Sequence, residues 1–156
     1  MEFEIIKPTL ADIPQMREIV SVEVKNGVIL ERSEDEMANA IRSYQLAREI
    51  KSGEIAGFCA LYVYSKDLAE VRSLVVKEKF RGLGLGSKLI QMALQEGREL
   101  GIKEVLTLTY KANLFQRLGF AIIEKSFLPN HKIWADCIKC KHFPICDEIA
   151  LINKLS

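Results

Sequence analysis

Apolar residues recur along the chain with two periods, and the switches between them divide it into strands and helices. Phe3 to Lys7 alternates as a first strand, ended by Pro8-Thr9. Thr9 with Asp12 three residues on predicts a capped helix, in which Ile13, Met16, Ile19 and Val20 fall at helical spacing; Pro14 lies near its first turn, where a proline costs little. Gly27 breaks this helix. Ser33 and Glu36 form a second capping box that opens a short helix to about Arg42. Arg32 then sits just outside a helix start, in a loop where a single arginine is ordinarily solvated. Tyr44 to Ile50 and Glu54 to Tyr64 read as adjacent antiparallel strands joined by Lys51-Ser52-Gly53.

After the polar break Ser65-Lys66-Asp67, Ala69 to Val76 is another strand. Period-two alternation predicts Glu70, Arg72 and Leu74 on one face, and Val71, Ser73 and Val75 on the other. From Gly84 the residues Leu85, Leu89, Met92, Ala93 and Leu100 make one helical stripe, and Gly101 ends the helix. Glu104 to Thr109 is again a strand, so Glu70 to Thr109 reads strand, glycine turn, helix, strand. Such a unit requires parallel strands with a right-handed crossover, and ligands bind at the carboxyl ends of such strands. Leu114 to Leu118 is a short helix stopped by Gly119; Phe120 to Lys125 and Glu148 to Leu155 are the closing strands, the last with Ile149, Leu151 and Asn153 on one face. The connection between them, Ser126 to Asp147, is long for so small a domain, and such loops usually carry function or an internal staple.

Composition narrows the partner. The chain has 156 residues, 49% hydrophobic and 28% charged, enough for one domain with one core and too few for two ordinary ones. A net charge of +1 and a pI near 7.6 argue against bulk attraction to nucleic acid or membrane, so a small molecule is expected. With no leader-like start and no long apolar run, a cytoplasmic protein is expected. Under that expectation the four cysteines, Cys59, Cys137, Cys140 and Cys146, are reduced thiols or metal ligands before they are disulfides.

The chemistry centres on Arg81-Gly82-Leu83-Gly84-Leu85-Gly86-Ser87, between a strand and a helix. Alternate glycines let a backbone approach a ligand closely and turn its N–H groups inward, beside the positive end of the following helix; this is a cradle for an anion, most simply a phosphate. A P-loop closes with Gly-Lys-Ser/Thr, and Gly86-Ser87-Lys88 has the order wrong. A dinucleotide fingerprint starting at Gly82 needs a glycine where Ser87 stands. The Arg-x-x-Gly-x-Gly pattern, with the element order around it and the run Asn113-Leu114-Phe115-Gln116-Arg117-Leu118-Gly119-Phe120, resembles the GNAT acetyltransferases. That resemblance implies an α/β (α+β) GNAT fold, a mixed, mostly antiparallel central sheet of about seven strands with about four helices. It implies acetyl-CoA as co-substrate, with Arg81 to Ser87 around the pyrophosphate, backbone contacts from Leu74, Val75 and Val76, and Asn113 and Phe115 on the short helix.

Within that superfamily the chain is similar to the short N-acetylglutamate synthases of bacterial arginine biosynthesis, on four segments: Leu30-Glu31-Arg32-Ser33, Ala69-Glu70-Val71-Arg72-Ser73-Leu74, Leu106-Thr107-Leu108-Thr109-Tyr110, and Leu128-Pro129 with Lys132 and the cysteine-rich tail to Glu148. The resemblance implies direct attack of an amine on the thioester, with Glu70 as base, acting directly or through a water. It points to Arg32 and the Leu30 backbone for one substrate carboxylate, with Arg72 and Lys132 as candidates for the other, since planar bidentate recognition favours arginine. Many GNAT enzymes place a tyrosine acid where Phe115 stands. That departure leaves Tyr110, a hydroxyl such as Thr109, or water to protonate the thiolate. Cys137, Cys140, His142 and Cys146 supply the ligand set of a closed structural zinc site; with a span of only ten residues they are read first as a packed or redox-labile loop, and structural zinc stays open as the alternative. Other acceptor amines, including polyamines and protein termini, and a non-catalytic acyl-CoA sensor stay open at this point, as does a homodimer through exposed sheet edges.

Overall fold

The structure, a computed structural model, describes residues 1–125 and 148–155. Its strands are β1 (Phe3–Ile6), β2 (Tyr44–Glu49), β3 (Ile55–Val63), β4 (Leu68–Val76), β5 (Glu104–Thr109), β6 (Ala121–Ile123) and β7 (Ile149–Lys154), and its helices α1 (Ile13–Lys25), α2 (Glu34–Asn39), α3 (Leu85–Leu100) and α4 (Ala112–Arg117). The strands form one seven-stranded sheet in the order β1-β2-β3-β4-β5-β7-β6. Neighbours are antiparallel except β4 and β5, which are parallel, as a crossover through α3 demands.

Local chemistry sets the helix starts. At Thr9 the backbone N–H donates to Asp12 Oδ2 over 2.8 Å, closing a box ahead of a short 3₁₀ turn and α1. At Ser33 the Oγ accepts from the Glu36 N–H over 3.1 Å while Glu36 Oε1 accepts from the Ser33 N–H. α2 ends at Asn39, earlier than the pattern predicts, and the residues to Ser43 form a separate 3₁₀ turn.

Each face of the sheet carries its own core. Ile13 and Met16 of α1 and Met37 of α2 pack on Tyr44, Leu46, Phe58, Ala60 and Val75; Leu85, Leu89, Ile90, Ala93 and Leu94 of α3 and Phe115 of α4 pack on Ala47, Cys59, Leu61, Val71 and Val105. A fully buried leucine or isoleucine contributes about 1.5–3 kcal/mol, so either layer outweighs the short turns that join it. The stripe of α3 differs from the expected one: Met92 and Leu100 are 42% and 61% exposed, while Ile90, Leu94 and Gly97 are buried. Gly97 explains the rotation, because a Cβ there would lie 3.0 Å from Leu155 Cδ1, so β7's end sits directly on the helix backbone. Among the described residues no helix is long and apolar enough to cross a membrane.

Candidate active site

β4 departs from plain alternation at Ser73. Phe58 pairs with Val75 and Ala60 with Arg72, so Cys59 alone on β3 faces both Ser73 and Leu74 on β4. Ser73 is the extra residue of this bulge, with φ of 60° in the left-handed region that a side chain rarely adopts. The insertion corrects the expected faces: Glu70, Arg72 and Val75 point to the α1–α2 side, and Val71, Leu74 and Val76 to the α3 side. Gly57 makes the bulge fit, since a Cβ there would fall 2.5 Å from the Val75 carbonyl oxygen and 3.0 Å from Val76 Cα.

Beyond the bulge the sheet opens. β4 and β5 pair through Leu68, Ala69 and Glu70 against Glu104, Val105 and Leu106, and the remainder of each strand diverges. Thr107 Oγ1 donates to the Val71 carbonyl over 2.9 Å at the point where they part. The opening is a cavity of about 630 Å³, bounded by the end of α1, the loop through Leu30 and Arg32, β4 from Glu70 to Val76, Arg81, β5 from Thr107 through Tyr110, and Phe115. Backbone groups of Leu74, Val75 and Val76 that a fully paired neighbour would occupy therefore border a cavity.

The cavity brings together most of the expected site. Glu70 is 1% exposed, and Tyr64 Oη donates to its Oε1 over 2.6 Å. Arg72 holds its guanidinium carbon 3.8 Å from the centroid of the Tyr62 ring, a cation–π contact. The two tyrosine rings meet edge to face at 5.1 Å. Arg32 is half-buried on the opposite wall with Leu30, not solvated as a loop arginine would be. Behind it, Tyr44 shares a small void of about 20 Å³ with Arg32 and Ser73. Burial pushes the Tyr44 hydroxyl above its ordinary pKa of 10.0, opposed by Arg72 and then Arg32, and Glu36 adds to the rise. Tyr110 is 40% exposed at the rim, and Phe115 is buried edge to face on Phe120 at 5.1 Å.

The glycine turn adjoins the cavity through Arg81. Arg81 Nε donates to the Val76 carbonyl over 3.0 Å and its Nη2 to Glu23 Oε1 over 3.2 Å, tying the turn to both β4 and α1. Gly82 and Gly84 have φ of 82° and 79°, a conformation that favours glycine, although a Cβ on either would meet nothing within 4 Å. Gly86 differs: its added Cβ would meet only Leu114 Cδ2 at 3.8 Å, so the chain's own packing does not demand a glycine. No side chain caps α3, whose N-cap is Gly84, and the first N–H to find a helical carbonyl is that of Lys88, 3.1 Å from Gly84 O. The N–H groups of Leu85, Gly86 and Ser87 thus precede the hydrogen-bonded part of the helix at its positive end, which fits a phosphate. Gly82 to Ser87 and Asn113 lie outside the cavity wall itself, Asn113 exposed in the first turn of α4. Lys132, Cys137, Cys140, His142 and Cys146 lie outside the described residues.

Sequence reasoning passed over Tyr62, Tyr64, Tyr44, Thr107 and Gly57. Only Tyr62 and Tyr64 carried a signal, two phenols at period two where the hairpin's second strand ends.

A family model described as the acetyltransferase (GNAT) family matches residues 15–120. An uncharacterized N-acetyltransferase of Chlorobaculum tepidum is 38% identical over 146 residues, 94% of this chain and 92% of the relative. An amino-acid acetyltransferase of Mycobacterium tuberculosis is 29% identical over 115 residues, 73% of this chain and 66% of that one. Among solved structures, the N-acetylglutamate synthase of Neisseria gonorrhoeae complexed with coenzyme A and N-acetyl-glutamate superposes with a TM-score of 0.87 at 20% identity, covering 100% of this chain and 36% of that chain. At that identity the likeness establishes the fold, and this chain spans about a third of the synthase.

Proposed function

The chain belongs to the acetyltransferase (GNAT) family, and from that membership we propose that it transfers the acetyl group of acetyl-CoA to the α-amine of L-glutamate. One observation carries the reading: a single cavity joins a buried carboxylate, Glu70, to two arginines from different elements, Arg32 and Arg72, beside a helix start suited to a phosphate. A cationic acceptor such as a polyamine would meet like charge at both arginines; a dicarboxylate meets complementary charge. The complex of the Neisseria synthase with coenzyme A and N-acetyl-glutamate supports the same pairing of ligands.

Glu70 accepts the proton that the ammonium group must lose before its nitrogen can attack. The new N–C bond forms as the thioester carbonyl becomes an oxyanion, which the backbone N–H groups of β4 near Leu74 to Val76 stabilise. The C–S bond then breaks, the thiolate leaves with the bonding electrons, and the nitrogen, positively charged since the attack, sheds its second proton to water to become the amide. Tyr110, at the cavity rim, can return a proton to it; the thiolate is stable enough to leave unaided. Arg32 with the Leu30 backbone, and Arg72, hold the acceptor's two carboxylates, and the N-terminus of α3 with the Arg81–Ser87 turn receives the pyrophosphate. The product would belong to arginine biosynthesis, as the sequence resemblance implies.

Steady-state kinetics of R32A and E70Q test these assignments. We expect R32A to raise KM for glutamate by about tenfold or more with a smaller effect on kcat, and E70Q to lower kcat by roughly 100-fold. R32A with unchanged KM, or E70Q with unchanged kcat, would contradict the role given to that residue.

A further inference from the structure

β3 and β4 are antiparallel with Tyr62 opposite Glu70 and Ala60 opposite Arg72. Yet Tyr62 contacts Arg72, and Tyr64, one residue past β3 and bonded through its N–H to the Leu68 carbonyl, contacts Glu70. Both tyrosines reach diagonally, to the residue two places further along β4 on the same face. Ala60 makes room for this, because so small a side chain opposite Arg72 lets the guanidinium lie over the neighbouring ring. The residues that the proposed function assigns to acceptor binding and to proton removal are thus each held by a phenol of the adjoining strand.

We propose that Tyr62 and Tyr64 are positioning residues with separable effects, Tyr62 orienting Arg72 for the acceptor's carboxylate and Tyr64 orienting Glu70 for the acceptor's amine. The Tyr64 hydroxyl engages one carboxylate oxygen and stops the group from turning, which matters because a base must lie within hydrogen-bond reach of the proton it removes. The Tyr62 ring works differently. A guanidinium held by its face keeps its N–H edge in a fixed plane, the geometry that bidentate recognition of a carboxylate needs. Tyr62 therefore acts through its ring and Tyr64 through its hydroxyl. This inference rests on the roles proposed above for Glu70 and Arg72.

The test compares Y64F, Y62L and Y62F with E70Q and R72A in acetyl-CoA-dependent thiol release with varied L-glutamate. Y64F should lower kcat about tenfold with KM for glutamate within about twofold of wild type. Y62L should raise that KM about tenfold with kcat within about twofold, and Y62F, which keeps the ring face, should restore KM to near the wild-type value. Thermal midpoints and KM for acetyl-CoA serve as controls for a general loss of structure. If E70Q and R72A respond while Y64F and Y62L match wild type, or if Y62F is as impaired as Y62L, the tyrosine roles are refuted and the site reading stands. If E70Q leaves kcat intact or R72A leaves KM intact, the role of that residue fails and its tyrosine's role falls with it. No wild-type turnover on glutamate refutes the acceptor and overturns the inference with it.

Discussion

G57A is a sharp probe of the bulge because the obstacle is backbone. A Cβ on Gly57 would stand 2.5 Å from the Val75 carbonyl oxygen and 3.0 Å from Val76 Cα, and neither atom can move by changing a rotamer. Ordinary contact begins near 3.4 Å, so β3 and β4 must separate by close to an ångström where Gly57 pairs with Val76. Overpacking of this kind costs roughly 1–3 kcal/mol, which for a domain of this size lowers Tm by roughly 2–10 °C. The functional cost should be larger than the stability cost, because the segment that must move carries the N–H groups proposed to hold the oxyanion. A displacement of that size can cost about 100-fold in rate. The assay is a thermal melt beside acetyl-CoA kinetics, with G53A as comparison: Gly53 has a positive φ of 73°, which Gly57 does not, but its Cβ would meet nothing within 4 Å and it lies in the hairpin turn, away from the cavity. G53A should lose stability and keep kcat. G57A with wild-type Tm and wild-type kcat would refute the claim that close approach of these strands shapes the site.

Three further outcomes follow from the same geometry. G84A, at φ of 79°, should cost roughly 1–2 kcal/mol in chemical denaturation and raise KM for acetyl-CoA while leaving KM for glutamate nearly unchanged. Burial pushes the Cys59 thiol from 9.0 to about 12, with Glu96 adding to the rise, so the unfolded chain loses this proton first as pH increases. The stability that the neutral thiol contributes is full below pH 9 and is lost on going up toward 12, at a slope approaching about 1.4 kcal/mol per pH unit; denaturation midpoints should show a shallower decline in C59A than in wild type. Y110F should reduce kcat by less than about tenfold, since the thiolate leaves readily, and a loss beyond about 100-fold would make Tyr110 an obligatory acid.

What could be read from the sequence was what neighbours in the chain decide. The boxes at Thr9–Asp12 and Ser33–Glu36, the hairpin around Gly53 and the left-handed turn at Gly82 and Gly84 are local chemistry, and each stands where the residue types place it. The bulge was not legible. Ser73 is a serine in an apolar strand, and its positive φ comes from the pairing of β4 with β3 and the room that Gly57 leaves, neither of which a window of residues contains. One inserted residue reversed the faces of everything beyond it, so Leu74 moved off the face of Glu70. The stripe of α3 failed for a similar reason: Met92 and Leu100 have the right period, but Leu155 settles on Gly97 and turns the helix. In the site, Glu70, Arg72 and Arg32 were visible as charged residues at telling positions, whereas Tyr62 and Tyr64 gained meaning only once register placed them diagonally across from β4.

The central claim is most directly tested by thiol release from acetyl-CoA with L-glutamate, L-aspartate, L-glutamine, spermidine and no acceptor as parallel arms, the product identified by mass. The account predicts turnover selective for glutamate, weaker turnover with glutamine and aspartate because one carboxylate is lost or misplaced, and none with spermidine. Turnover with spermidine and none with glutamate would contradict it, and tight coenzyme A binding without turnover on any acceptor would replace catalysis with acyl-CoA sensing.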